Sequence, residues 1–299
     1  MISKYKIFSD FLASKITASS TVKKGATFNT SKTTFLEVFK TVAQKELSSL
    51  QIAEVATSVP KLVSLKKEVK LCVPNLIQGH NECGPTSLAM IMKYYGIDPG
   101  NYHNMFSSDT VGHSPLALKE KAQTKNLTVR QANYGTLEDL AALVDMGIPP
   151  LVLGIYGGGN NASLADYISN ASRAHWMVVT GYKTDETGKI THIYFNNPNC
   201  STPQCWTTSD FLNKFWNNNI IPGGHRYFMA MAPRNNSSWS FQEAALRRFL
   251  PQDKISSAFK ATLETIHELE EAFYASERAA NTVAEAAKDA WNEVCSWFS

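Results

Sequence analysis

The residue best suited to covalent chemistry is Cys83, which directly precedes an apolar helical pattern. The stretch from Gln78 to Gly96 reads QGHNECGPTSLAMIMKYYG, and its apolar residues after the cysteine recur at the spacing of a buried helix that ends at Gly96. Unpaired backbone N–H groups and the helix dipole favour a thiolate at a helix N-terminus. Cys83 is therefore a candidate nucleophile. Gln78, five residues upstream, is a candidate hydrogen-bond donor to an oxyanion.

A histidine and an asparagine form the second candidate group. His175 opens an apolar strand (AHWMVVTGY), the stretch TDETGK predicts a turn, and a returning strand ends at Asn197 before a proline. Antiparallel pairing would place both residues at the same end of this hairpin, where the Asn197 amide oxygen can accept a hydrogen bond from the imidazole and fix its tautomer. Asn196 is an alternative for the same position, and His80 is an alternative base.

The CGPTS motif with the histidine and asparagine resembles the papain-like double-glycine (bacteriocin leader) peptidases and related bacterial cysteine peptidases, over about Val69 to Ala232. The resemblance implies an α+β papain-like fold, with a helical subdomain carrying Cys83 against an antiparallel sheet carrying His175 and Asn197. Many family members have Asp where this chain has Asn197, which we interpret as a change in histidine basicity. Papain relatives often have the glutamine six residues before the cysteine, whereas here it is five.

The resemblance also implies an enzyme, a cysteine peptidase that cleaves a peptide or isopeptide amide through an acyl-enzyme. His175 would take the thiol proton, while Gln78 and the backbone N–H of Cys83 would hold the oxyanion. Two other hypotheses stay open: a protein glutamine deamidase or acyltransferase with the same triad, and an inactive binding module on this fold. The expected partner is a protein or peptide substrate.

Composition and motif content argue against several other classes of function. The 299 residues are 43% hydrophobic, which is ample for a core, and the formal charge is +3 without a dense basic run, so no nucleic-acid partner is expected. No metal is expected because the chain lacks CxxC spacing, and no cofactor is expected because it lacks a Gly-rich phosphate loop. No apolar run is long enough for a membrane span, which favours a free-standing relative over a part of an exporter.

The cysteine count of five does not suggest a disulfide scaffold. Cys200 and Cys205 could close a small loop in an oxidising compartment, whereas Cys72 is expected to be a small buried apolar residue.

Four segments are predicted from changes in composition: 1–33 as a tail or secretion signal, 34–65 as a helical extension, 66–233 as the catalytic domain and 234–299 as a C-terminal helical extension. From 255 onward apolar residues recur at close to a 3.5-residue period. This pattern predicts a long helix or hairpin that folds back on the domain, or a coiled coil that binds a protein partner or self-associates. A secretion signal would make the protein secreted or translocated from a bacterium as an effector; otherwise it is expected to be cytoplasmic.

The remaining local predictions concern the elements around the candidate site. They are a strand at 69–77, a helix at 114–125 with a Ser cap, a strand at 127–130, a helix after Thr136 that stops at Gly147, a β-like run at 148–153, a flap-like loop from 157 to about 171 and a strand at 225–232. The family resemblance also implies a helix at 206–216.

Overall fold

The computed structural model describes residues 67–106, 113–157, 173–272 and 274–275. The predicted tail at 1–33, the extension at 34–65, most of the flap-like loop and the end of the C-terminal segment lie outside these ranges.

A seven-stranded sheet forms the framework, and the strand pairs that the structure describes are antiparallel. The strands are β1 (Glu68–Lys70), β2 (Leu127–Ala132), β3 (Leu151–Ile155), β4 (Ala174–Thr184), β5 (Ile190–Asn196), β6 (Gln204–Thr207) and β7 (Phe228–Pro233). Their order in the sheet is β2-β7-β3-β4-β5-β6, and β1 pairs with the far end of β4.

Helices pack against this sheet, which makes the fold a mixed α+β architecture as predicted. They are α1 (Cys83–Tyr94), α2 (Pro115–Thr124), α3 (Leu137–Asp145), α4 (Thr208–Phe211) with a π-helical turn at Leu212–Trp216, α5 (Ser240–Phe249) and α6 (257–272), besides 3₁₀ turns at Tyr102–Asn104 and Ser237–Trp239. Within the described residues, no helix has the length and apolar content needed to cross a membrane.

The sheet has an apolar core on each face because successive side chains of a strand point to opposite sides. On β4, Trp176 and Val178 belong to the core that contains α1, α2 and α6, whereas Met177 and Val179 belong to the core with α3 and α5. β4 is therefore buried on both faces, and its first residues lie beneath the start of α1.

Two predicted helices begin at the expected caps. The Ser114 hydroxyl accepts from the Ala117 N–H at the start of α2, and Thr136 and Asp139 form a reciprocal capping box at the start of α3. Local side-chain chemistry thus accounts for where both helices begin.

Three predicted strand or helix boundaries differ from the structure for reasons that particular residues explain. The strand at 69–77 ends at Lys70, since Pro74 lies in its middle and cannot donate to a ladder, and Cys72 is consequently exposed rather than buried. Residues 204–207 form a strand, so the helix predicted from 206 begins only at Thr208. The last strand begins at Phe228, not at 225, because Arg226 has a φ of +47° that no strand accommodates.

The described part of the C-terminal segment lies against the same core as α1. Phe259, Leu263 and Ile266 of α6 are buried there, and Phe259 contacts the ring of Tyr227. Glu270 accepts from the Ser114 N–H at the start of α2, at 3.2 and 3.3 Å from its two oxygens. This part of the apolar stripe is therefore covered by the protein's own core.

Candidate active site

Cys83 is the first residue of α1, and its thiol is buried against the central strand. Gly84 permits the close approach, because a Cβ there would lie 3.0 Å from Leu118 and 3.3 Å from the Trp176 ring. One turn along, the Ser87 hydroxyl donates to the Trp176 carbonyl over 3.3 Å. The glycine of the CGPTS motif thus lets the helix N-terminus rest on the residue that follows His175.

Two opposing influences act on the sulfur. Burial raises the pKa of the Cys83 thiol, because a thiolate loses hydration there, and backbone N–H groups led by that of Trp176 lower it in part. The net effect is a pKa above that of an ordinary thiol, so the resting sulfur is protonated at neutral pH.

His175 and Asn197 are hydrogen-bonded, with 2.9 Å between Nε2 and Oδ1. Both are buried, at 5% and 2% exposure. The amide orientation follows from its other contacts: Nδ2 donates to the Tyr156 hydroxyl and, over 3.3 Å, to Gln204 Oε1. Because Oδ1 can only accept, Nε2 carries the proton, and Nδ1 of the neutral ring is the nitrogen able to take a proton.

Burial also controls the charge of the imidazole. Loss of hydration lowers the pKa of His175 to about 4, although its hydrogen bond to Asn197 acts in the opposite direction. The ring is therefore neutral at neutral pH.

Asn196, the alternative to Asn197, points elsewhere. Its Nδ2 donates to the Val73 carbonyl over 3.0 Å, and it pairs with Val178 as the last residue of β5. The structure therefore places Asn197 and not Asn196 beside the histidine.

Gln78 lies between the loop that leads to Cys83 and the end of the β4–β5 hairpin. Its backbone N–H donates to the Pro198 carbonyl over 2.9 Å, next to Asn197, and its Nε2 donates to the Gly79 carbonyl over 3.2 Å. One Nε2 hydrogen is thus left for another acceptor. The Gln78 Oε1 is buried without a hydrogen-bond partner among the described residues. His80, by contrast, is exposed.

Sequence reasoning missed the residues that surround Asn197. The Tyr156 ring lies 5.0 Å from the His175 ring, and Cys200 Sγ lies 3.5 Å from Asn197 Nδ2. Cys200 and Cys205 are both free thiols, so the small disulfide loop is not formed. No motif marks Tyr156 or Gln204, because each reaches the site from a separate strand end.

Across the residues that the structure describes, no group of three or more His, Cys, Asp or Glu side chains is arranged to hold a metal ion.

A cysteine at a helix start, packed against the strand that carries a hydrogen-bonded histidine–asparagine pair, is the arrangement of the papain-like cysteine peptidases. Residues 70–219, half of the chain, match the model of the Peptidase_C39 like family. The chain therefore belongs to that family and is a cysteine peptidase, and the predicted resemblance is confirmed.

Solved structures similar to this chain include three peptidases, each 16% identical. They are a double glycine motif protease from an AMS/PCAT transporter in complex with the leader peptide (57% of this chain, 99% of that chain, TM-score 0.36), a C39-like peptidase from Bacillus anthracis (57%, 100%, 0.42) and the peptidase domain of Streptococcus ComA, a bi-functional ABC transporter involved in quorum sensing (54%, 99%, 0.37). A search of curated proteins found no match.

Proposed function

We propose that this cysteine peptidase hydrolyses a peptide amide through Cys83, His175 and Asn197, with Gln78 as an oxyanion donor. The observation that carries the proposal is the buried 2.9 Å hydrogen bond between His175 and Asn197. Trp176, the residue after His175, contacts the Cys83 sulfur through its backbone N–H. The hydrogen bond to Asn197 leaves Nδ1 as the ring nitrogen that can act as a base.

The protonation states favour general-base catalysis over a preformed ion pair. Burial raises the pKa of Cys83 and lowers that of His175 to about 4, so both groups are neutral at rest at neutral pH. Nδ1 then takes the thiol proton as the sulfur attacks the carbonyl.

The rest of the reaction uses the same groups. The second Nε2 hydrogen of Gln78 and the backbone N–H of Cys83 stabilise the negative oxygen of the tetrahedral intermediate. The imidazolium gives its proton to the leaving amine, which breaks the C–N bond and leaves a thioester. His175 then deprotonates a water that attacks the thioester, and the carboxylic acid product leaves as the thiol is restored.

Alkylation of Cys83 by iodoacetamide tests the base. We expect the wild-type protein to be alkylated at neutral pH at a rate that His175→Ala greatly reduces, the remaining reactivity moving to alkaline pH because a buried thiol ionises late. Cys72 and Cys205, both exposed, serve as reference thiols in the same peptide digest. Identical pH profiles at Cys83 in the two proteins would exclude His175 as its base.

An equimolar library of internally quenched peptides tests the reaction. Cysteine-dependent fragments, absent with Cys83→Ala, support hydrolysis. A gain of about one dalton on an intact glutamine peptide would instead support deamidation, which the same triad chemistry permits. If neither change depends on Cys83, the catalytic proposal is wrong.

A further inference from the structure

The segment that joins Gln78 to Cys83 is held by a buried carboxylate. Glu82, directly before the nucleophile, is 6% exposed and is the N-cap residue of α1, yet its side chain makes no helix-capping hydrogen bond. Its Oε2 instead accepts from the backbone N–H of Gly79 over 2.7 Å. The carboxylate is therefore turned back towards the loop that carries the oxyanion donor.

Gly79 connects this carboxylate to Gln78. A Cβ at Gly79 would lie only 2.7–2.8 Å from the Glu82 carboxyl atoms, so a larger residue would displace the carboxylate from this contact. The Gly79 carbonyl in turn accepts from Gln78 Nε2 over 3.2 Å. A chain of two hydrogen bonds thus runs from Glu82 through Gly79 to the Gln78 amide.

The Tyr102–Asn104 turn holds the same loop from outside. His103 Nδ1 lies 2.5 Å from Glu82 Oε2, and the Tyr102 hydroxyl donates to the Ile77 carbonyl over 3.2 Å. The Tyr102 and His103 rings are in contact, tilted by 37° with their centroids 4.2 Å apart. The loop is therefore tied on both sides of Gln78, at Ile77 and at Glu82.

We infer that Glu82, held by His103, is a positioning residue that fixes the Gln78 amide for oxyanion stabilisation. The inference rests on the proposed function, since Glu82 acts only through Gln78. Misplacing a catalytic donor by about 1 Å can lower turnover about a hundredfold, because transition-state stabilisation depends steeply on geometry. Glu82 is not itself a catalytic residue, because it touches neither the sulfur nor the imidazole.

A double-mutant cycle on the full-length protein tests this inference, with Gln78→Ala, Glu82→Ala and the double variant assayed on the quenched-peptide library. We expect Glu82→Ala to lower kcat about tenfold to a hundredfold with KM unchanged. In the Gln78→Ala background, Glu82→Ala should lower kcat by less than about twofold, since the effects of residues that act as a unit are not additive. Glu82→Gln keeps an oxygen that can accept from Gly79 and should restore part of kcat.

Two controls separate positioning from other effects. Iodoacetamide alkylation needs the thiol but no oxyanion donor, so Glu82→Ala should leave the Cys83 alkylation rate unchanged. Asp139→Ala removes another buried carboxylate that accepts from a backbone N–H, that of Thr136, and should lower stability without changing kcat. His103→Ala should lower kcat in the same way as Glu82→Ala but less.

Three outcomes overturn the inference. They are a full additive loss in the double variant, an equal loss of alkylation and turnover in Glu82→Ala, and a wild-type kcat in Glu82→Ala while Gln78→Ala is impaired. If Gln78→Ala itself turns over at the wild-type rate, or no Cys83-dependent cleavage is found, the proposed function fails and the inference with it.

Discussion

The two sides of the active site are held in place by different kinds of interaction. His175 and the strand leading to Asn197 are held by the backbone hydrogen bonds of the sheet, because β4 pairs with β3 on one side and with β5 on the other. Gln78 and the loop to Cys83 lie outside the strand pairs and are held by individual hydrogen bonds, those of Glu82 and Tyr102 and that of the Gln78 N–H to the Pro198 carbonyl. Substitutions on the sheet side should therefore change chemistry with little movement, whereas those on the loop side should change geometry.

The two sides also differ in how burial acts on them. The sulfur keeps backbone N–H donors around it, so loss of hydration is partly offset. The imidazole has a neutral amide as its hydrogen-bond partner, and burial lowers its pKa to about 4. His175, the proposed base, rather than Cys83 is therefore the group whose ionisation should be seen in the acidic part of a pH profile.

The largest effect is expected for His175→Ala on the sheet side. Loss of the base should lower kcat about 10⁴-fold at neutral pH, while the paired strands hold the backbone in place. Steady-state kinetics on the quenched-peptide library measure the loss. His192→Ala, a histidine on β5 bonded to Thr191, is the matched control and should retain wild-type kcat. A comparable loss in both variants would point to a folding defect.

On the loop side, Gln78→Ala should lower kcat about 10²-fold, the typical effect of removing one oxyanion donor. Alkylation of Cys83 should be unchanged, because it forms no oxyanion. Exposed Gln123 provides the control, and Gln123→Ala should behave as wild type. Equal loss of turnover and alkylation would mean that Gln78 supports the thiol instead.

Stability should depend on the buried imidazole. Because the folded pKa of His175 is lowered from 6.5 to about 4, neutral His175 contributes stability that is fully present above pH 6.5 and is lost as pH falls through 4. The shift corresponds to about 3 kcal/mol. Urea unfolding at several pH values should show a fall over this window that is smaller in His175→Gln. An equal fall in both proteins would assign it to other groups.

The smallest effect concerns the choice of Asn over Asp at position 197. Asn197→Asp places a negative charge beside the ring and should raise the pKa of His175, moving the acidic limit of activity up by about 1 pH unit. Asn197→Ala removes the hydrogen bond that raises this pKa, so its acidic limit should move down. The pH profile of kcat/KM measures both. Shifts in the same direction would show that the limit does not belong to His175.

Much of the framework could be predicted from local signals. The caps at Ser114 and Thr136 and the left-handed glycines Gly96 and Gly147 bound three helices, because each acts through neighbouring residues. The strand at 204–207 was missed, and its burial shows why: it has no fully buried residue to produce a clear alternating pattern.

The support around the site could not be predicted in this way. Tyr156 and Gln204 meet at Asn197 from separate strand ends, and His103 reaches Glu82 across 21 residues. No periodicity or spacing relates such residues, because their proximity depends on how the chain folds back on itself.

The sequence by itself determined the type of chemistry, because a cysteine before a glycine at a helix start, a histidine at a strand start and an asparagine at a strand end each have a local signature. Only the tertiary structure decided which asparagine serves the histidine. Asn196 is the last ladder residue and bonds Val73, whereas Asn197 lies just past the strand and can turn its oxygen to His175. Neighbouring residues of a strand face opposite sides of the sheet. A shift of one position therefore leaves the composition unchanged but turns the side chain to the other face.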